Sequence, residues 1–411
     1  MALQVNRKAF VSNHIYGMPY LEVLTQLFAQ DPLIDEVGYV LDDVTQSFQL
    51  HSHKLGIALQ IAPQLFKEGR DAFHAFNTAL DVSNVPEETL ITLNNATRAI
   101  LLISADFYSA WNTRRKLVTR TFLTLDEEVK FSTVVLLFHP KSIDTWAYRR
   151  WLSARSILEH SVALTEEIAL CAIISERYPR NYHSWSYRHW LWLQTIGMHG
   201  SKSDRHTLIK EEMERMDIWC KSHLMDCSGW NHRALILSSL LNSENAADLM
   251  EKSSQAILST EYDFISKLLA TYPKHEALWY HRRFVIQQHL KIAFCNETDP
   301  ASCFETLIHD AKDILKQSMC KIQRISVATM DLQAAWNIKR DHTAQNIDKS
   351  TLQLLVEEIQ TALIFSADMT DANLFARQFA FWLLEFCASK CSRPDKVSYI
   401  VKQLRLEVMS E

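Results

Sequence analysis

The chain has 411 residues, 47% of them hydrophobic and 22% charged, with a formal net charge of −5. That is ample apolar material for a core, and the mildly acidic balance argues against a nucleic-acid binder, which needs a basic field. Glycine supplies only 7 residues, against roughly 7% in ordinary globular chains. Tight strand turns and phosphate-cradling loops are therefore few, and neither GxGxxG nor GxxxxGK[ST] occurs.

Met1 to Asn13 has no charged-then-apolar leader pattern. Residues 1–90 carry no repeat signal and are predicted to form a helical cap over the first repeat's open face. Within them Glu22 to Phe28 reads as helix, Asp31-Pro32 breaks it, Gly38 interrupts the next segment, and Ile57 to Phe66 reads as helix again. Pro86-Glu87-Glu88 is a helix start, with acids in the first turn. From there to Phe138 the pattern predicts a helical pair carrying the first repeat.

A tryptophan is then followed three residues later by an arginine five times: Trp111/Arg114, Trp146/Arg149, Trp185/Arg188, Trp230/Arg233 and Trp279/Arg282. Pro140, Pro179 and Pro273 each stand six residues before a tryptophan, a place suited to the first turn of a helix. Arginine three residues after tryptophan shares its helix face. Trp146, Trp151 and Leu152, like Trp185, Trp190, Leu191 and Leu193, are spaced as an apolar stripe. The tryptophans lie 35, 39, 45 and 49 residues apart, room for two helices and two turns, with lengthening loops. One such unit cannot bury its own stripe, so the copies are predicted to stack into an all-α superhelical solenoid of helical hairpins over residues 91–395. The tryptophans are expected in the core, and the arginines as donors to carbonyls between repeats.

Residues 295–321 are polar and irregular, an insertion between repeats. Trp336 echoes the motif without its upstream half, a degenerate last repeat is expected near Leu374, and residues 396–411 form a tail. The eight cysteines include no CxxC pair, which points to a reducing, cytoplasmic compartment. Cys387 and Cys391 are one helical turn apart, and His51 and His53 alternate, but neither pair has further ligands beside it. This chain is expected to bind no metal. Its apolar runs are too short for membrane insertion.

The stretch Arg177-Tyr178-Pro179-Arg180-Asn181-Tyr182-His183-Ser184-Trp185-Ser186-Tyr187-Arg188-His189-Trp190 resembles the protein prenyltransferase α-subunit repeat. The tetratricopeptide repeat would require a glycine in each unit. The resemblance covers residues 104 to 288 in five copies. It implies a right-handed α-α superhelix that wraps a β subunit, an α/α barrel holding the zinc, the isoprenoid and the acceptor cysteine. Details such as Asp106 to Asn112 and Ser228-Gly229 before Trp230 imply the α subunit of a type III protein geranylgeranyltransferase. Its partner would be the Rab-type β subunit. Geranylgeranyl diphosphate would be the co-substrate, and the acceptor a SNARE-like protein with C-terminal cysteines, one already farnesylated.

In that family the α subunit lends a lysine from its second repeat and an Asn-Tyr pair from its third. The matching residues are Lys141 and Asn181-Tyr182, with His183 beside them. Diphosphate departure builds negative charge, which an ammonium and a phenol hydroxyl can stabilise. Ser142-Ile143 stands where an Asn-Tyr pair would be expected in the second repeat, so that repeat offers only Lys141. Asp226-Cys227 in the fourth is expected to be structural. The alternative is a non-catalytic scaffold that binds partners through its repeats.

Overall fold

The computed structural model describes residues 18–41, 46–81, 84–159, 163–198, 202–241 and 253–294, with 378, 379, 382 and 383. The expected insertion at 295–321, Trp336, the repeat near Leu374, the Cys387/Cys391 pair and the 396–411 tail lie outside these. The chain divides into two compact units, residues 1–197 and 198–411.

The first unit opens with α1 (Tyr20–Gln30), followed by strands β1 (Glu36–Val40), β2 (Phe48–His51) and β3 (Lys54–Ala58) in the order β1-β3-β2. β1 runs parallel to β3 and β2 antiparallel. Ser52 and His53, with φ of 49° and 66°, turn β2 into β3. Positive φ at both central residues gives the twist a two-residue hairpin needs. Gly56 sits where a Cβ would come within 2.6 Å of the Val40 side chain, so it lets β1 and β3 close. The sheet packs on the helix Leu125–Phe138 of the repeats, where the Tyr39 and Phe138 rings meet edge-on at 4.8 Å.

This sheet differs from the helical cap the sequence suggested. The helix expected from Ile57 is instead strand to Ala58, a 3-10 turn, and then α2 (Ala62–Phe76). Ile57, Ile61 and Leu65 are all buried, and a short apolar run reads alike as strand or helix.

Helical hairpins follow: α3 (Glu87–Ile103) with α4 (Tyr108–Thr119), α5 (Leu125–Phe138) with α6 (Ile143–Glu159), and α7 (Ala163–Arg177) with α8 (Tyr182–Met198). Residues 87–138 thus hold three helices, the third opening the next hairpin. The second unit has α9 (Lys202–Ser222) with α10 (Cys227–Leu241), and α11 (Ser254–Thr271) with α12 (Glu276–Phe294). Thr124 and Glu127 form a capping box that starts α5, and the Ser253 hydroxyl caps α11. In the first unit α3 packs on α5, α5 on α7 and α4 on α6, so like helices stack on like. The helical-hairpin repeat fold is the one the motif implied.

Candidate functional site

Each hairpin turns in the same way. The first helix ends eight residues before the tryptophan (Ile103, Phe138, Arg177, Ser222, Thr271), and the second begins three before it (Tyr108, Ile143, Tyr182, Cys227, Glu276). The prolines therefore stand in the turn and not in the helix's first turn. Pro140 and Pro273 serve there as acceptors: the indole N–H of Trp146 donates to the Pro140 carbonyl at 2.9 Å and that of Trp279 to Pro273 at 2.8 Å. Trp111 does the same to Ala105 at 2.8 Å and Trp230 to Leu224 at 3.2 Å. A carbonyl just past a helix end has no helical partner, and the indole supplies one. All five tryptophans are buried.

The turns of successive repeats in the first unit are locked together. The Asn181 amide donates to the Pro140 carbonyl at 2.8 Å, while its oxygen accepts from the His183 and Ser184 amides at 3.1 and 3.3 Å and so caps α8. Asn181 is 1% exposed with both ends of its amide engaged, so it holds the turn and does not face a ligand. In the preceding repeat Ser142 takes its place, capping Thr145 at 3.1 Å and donating to Asp106 at 2.7 Å. Burial and the neighbouring charge of Asp106 hold the Asp144 carboxyl above its usual range.

Lys141 stands exposed in the turn beside Pro140. Tyr182 opens α8 and is 66% exposed, while His183 is half-buried with its ring against that of Tyr182. The Asn181–Pro140 hydrogen bond makes the turns bearing Lys141 and Tyr182 neighbours. It also brings in Arg180, which no sequence pattern singles out. Arg180 is exposed and left-handed, φ 64°, a strained backbone for a residue with a Cβ. The same first-of-helix position is exposed in Tyr108 and Ile143, at 62% and 65%. Among the described residues no group of three or more His, Cys, Asp or Glu could hold a metal ion. No described helix is long and apolar enough to cross a membrane.

The repeat arginines find carboxylates more than carbonyls. Arg114 pairs with Glu128, Arg149 with Glu167 at 2.6 Å and Arg233 with Glu261 at 2.6 Å, all buried and each pair joining one hairpin to the first helix of the next. Carbonyls take part too, with Asn94 accepting from Arg114 at 3.3 Å and Val129 from Arg149. Arg282 donates to Ser266 and the Tyr262 hydroxyl, both at 3.0 Å. Arg188 is buried as well. No sequence pattern marks these glutamates, because their separation from the arginine varies: 14, 18 and 28 residues. A different interval is steadier. Each glutamate also accepts from a residue 20 positions on, Tyr148 at 2.5 Å, Tyr187 at 2.6 Å and His281 at 2.5 Å, and Glu212 accepts from His232 at the same interval, 2.9 Å away.

Burial alone would raise the Glu261 carboxyl, but the Arg233 charge and bonds from His281 and Arg233 bring it down to about 2. Burial pushes the Tyr148 and Tyr187 hydroxyls far above their usual range, and the adjacent glutamates add to it.

Residues 125–156, 164–195, 209–240 and 258–289 match the family described as protein prenyltransferase alpha subunit repeat. The four ranges fall on the α5/α6, α7/α8, α9/α10 and α11/α12 hairpins. The chain is similar to protein prenyltransferase alpha subunit repeat-containing protein 1 of Homo sapiens, 28% identical over 319 residues that cover 65% of this chain and 77% of that protein. Its similarity to protein 1-B of Xenopus laevis is 25% over an alignment of 424 positions, 88% of this chain and 95% of the other. Among solved structures, Candida albicans protein geranylgeranyltransferase-I complexed with GGPP is 15% identical with a TM-score of 0.46, covering 82% of this chain and 91% of that one. Four hairpins of the chain thus match the protein prenyltransferase alpha subunit repeat, and the α3/α4 hairpin has the same indole-to-turn hydrogen bond.

Proposed function

We propose that this chain is the α subunit of a cytoplasmic heterodimeric protein geranylgeranyltransferase of type III, working with a Rab-type β subunit that carries the zinc. The pair transfers a geranylgeranyl group from its diphosphate to a C-terminal cysteine of an acceptor, such as an already farnesylated SNARE-like protein. The observation that carries this reading is the exposure of Lys141 and Tyr182 on two turns hydrogen-bonded through Asn181 and Pro140. The ammonium neutralises a phosphate oxygen of the departing diphosphate and the phenol donates a hydrogen bond to it. Arg180 and His183 stand within the same turn-and-cap segment and supply further donors. Asn181 holds that segment in place.

A docking surface for the β subunit is supported by the half-exposed side of α6 and α8. Arg155 lies over Trp151 at 4.2 Å, and Arg150 over Trp190 at 5.4 Å. Tryptophan and arginine carry much of the energy of protein interfaces.

The test is co-expression with a Rab-type β subunit, size-exclusion chromatography, and then transfer from geranylgeranyl diphosphate to an acceptor ending in two cysteines. A one-to-one complex is expected, with Lys141→Ala slowing kcat roughly a hundredfold and Tyr182→Phe less. A chain that elutes alone, or a Lys141→Ala/Tyr182→Phe complex with full turnover, would favour the scaffold reading.

A further inference from the structure

Lys141 is exposed, yet the residues on either side of it are each fastened to a different repeat. Pro140, before it, gives its carbonyl to Asn181 of the following hairpin at 2.8 Å and to the Trp146 indole at 2.9 Å. Ser142, after it, donates its hydroxyl to Asp106 of the preceding hairpin at 2.7 Å. The same Asp106 oxygen accepts the backbone N–H of Asp144 at 3.2 Å. That amide lies in the first turn of α6, where a helix offers no backbone partner, so the carboxylate completes the helix start as well as gripping the turn.

The fourth repeat solves the local problem otherwise. Asp226 caps its own helix, through the Ser228 amide at 3.2 Å, and also accepts the Trp219 indole at 3.0 Å. Both residues lie within one hairpin. The Lys141 turn is held from both neighbours.

We infer that Asp106 is a positioning residue for Lys141: it clamps the Lys141 turn from the preceding repeat while Asn181 clamps it from the following one. The inference rests on the reading of Lys141 as a diphosphate contact. A single cationic tip on a long side chain loses much of its value if the backbone beneath it wanders. A displacement of about 1 Å in such a group can cost roughly a hundredfold in rate. The Asp106 carboxylate itself need not approach the substrate, and its negative charge would repel a diphosphate if it did.

The test uses the full chain with its β subunit, geranylgeranyl diphosphate and an acceptor ending in two cysteines. Asp106→Ala should lower kcat by roughly ten- to a hundredfold, and Asp106→Asn, whose side-chain carbonyl keeps the acceptor, should restore most of it. In a Lys141→Ala background Asp106→Ala should cost almost nothing further, because the group it positions is gone. Hydrogen exchange on the full chain alone should show the Asp144 amide losing protection in Asp106→Ala and regaining it in Asp106→Asn. An equal cost of Asp106→Ala with and without Lys141 would overturn the positioning role, and so would an Asp144 amide whose protection is unchanged. If Lys141→Ala is itself silent, the diphosphate reading fails first and the inference goes with it.

Discussion

The two units close their buried glutamates with different donors. In the first, Glu128 and Glu167 accept from the hydroxyls of Tyr148 and Tyr187; in the second, Glu212 and Glu261 accept from the imidazoles of His232 and His281. The spacing is 20 residues every time, and all four carboxylates are buried. The hairpin thus demands a donor at that point on its second helix and is indifferent to whether it titrates near neutrality. The units should accordingly respond alike to loss of the carboxylate and differently to acid.

The largest effect tests the shared part. Glu167→Ala in the first unit leaves the buried Arg149 guanidinium without its main partner, and Glu261→Ala in the second does the same to Arg233. Removing one side of a buried ion pair costs about 3–5 kcal/mol because the other charge stays behind. Urea unfolding, followed by hydrogen exchange in each unit, should show this loss confined to the unit mutated. A loss below about 1 kcal/mol in either unit would mean that apolar packing alone joins its hairpins there.

Next in size is a contrast in the turns. Before Trp230 stands Gly229, where a Cβ would come within 2.8 Å of the Trp219 indole nitrogen. That indole stacks on His223 at 3.9 Å between ring centres and donates to Asp226. In the first unit the residues before Trp146 and Trp185 are Thr145 and Ser184, whose hydroxyls are bonded within their own repeats. Gly229→Ala should therefore cost about 1–3 kcal/mol through overpacking, read by thermal unfolding. Near-ultraviolet circular dichroism should change as Trp219 shifts. An unchanged spectrum and stability would show that the indole yields freely, and the contrast between the turns would lose its meaning.

The repeats were legible because tryptophan and arginine recur on one helix face at a spacing the turn keeps constant. What changes length lies between hairpins, and for that reason the arginine partners were hidden: Glu128, Glu167 and Glu261 stand at unequal distances from the arginines they meet. What does stay constant is the interval of 20 residues from these glutamates to Tyr148, Tyr187 and His281. The sheet was hidden for another reason. Its strands are four or five residues long, and its hairpin turns on Ser52-His53 in place of an Asn-Gly pair. At the candidate site, Lys141 and Tyr182 were found by resemblance. The bracing by Asp106 and Asn181 was not, because a hydrogen bond between turns 36 or 41 residues apart leaves no local pattern.

The smallest effect separates the units by pH. His281 is fully buried against Glu261 on α11, with Arg233 and the Trp230 ring, 4.9 Å away, facing it from α10. Burial holds its pKa below the ordinary histidine range, and the bond to Glu261 opposes this only in part. Unfolded, the same imidazole takes a proton near pH ~6.5. The unfolded chain therefore binds a proton that the folded unit refuses, and stability present at pH 7.5 falls as the pH drops through the lowered folded value. The loss is about 1.4 kcal/mol for each unit of depression. Glu261, held at about 2, adds a second decline only below the carboxylate range near ~4.3. Tyr148 and Tyr187, pushed upward by burial, stay protonated throughout. Between pH 7.5 and 5.5 the second unit should thus weaken more than the first in hydrogen exchange. His281→Tyr, which installs the donor the first unit uses, should flatten the second unit's response, and Tyr187→His should give the first unit a slope of the same sign. If His281→Tyr leaves the slope intact, the acid sensitivity belongs to another group and the choice between phenol and imidazole is one of packing alone.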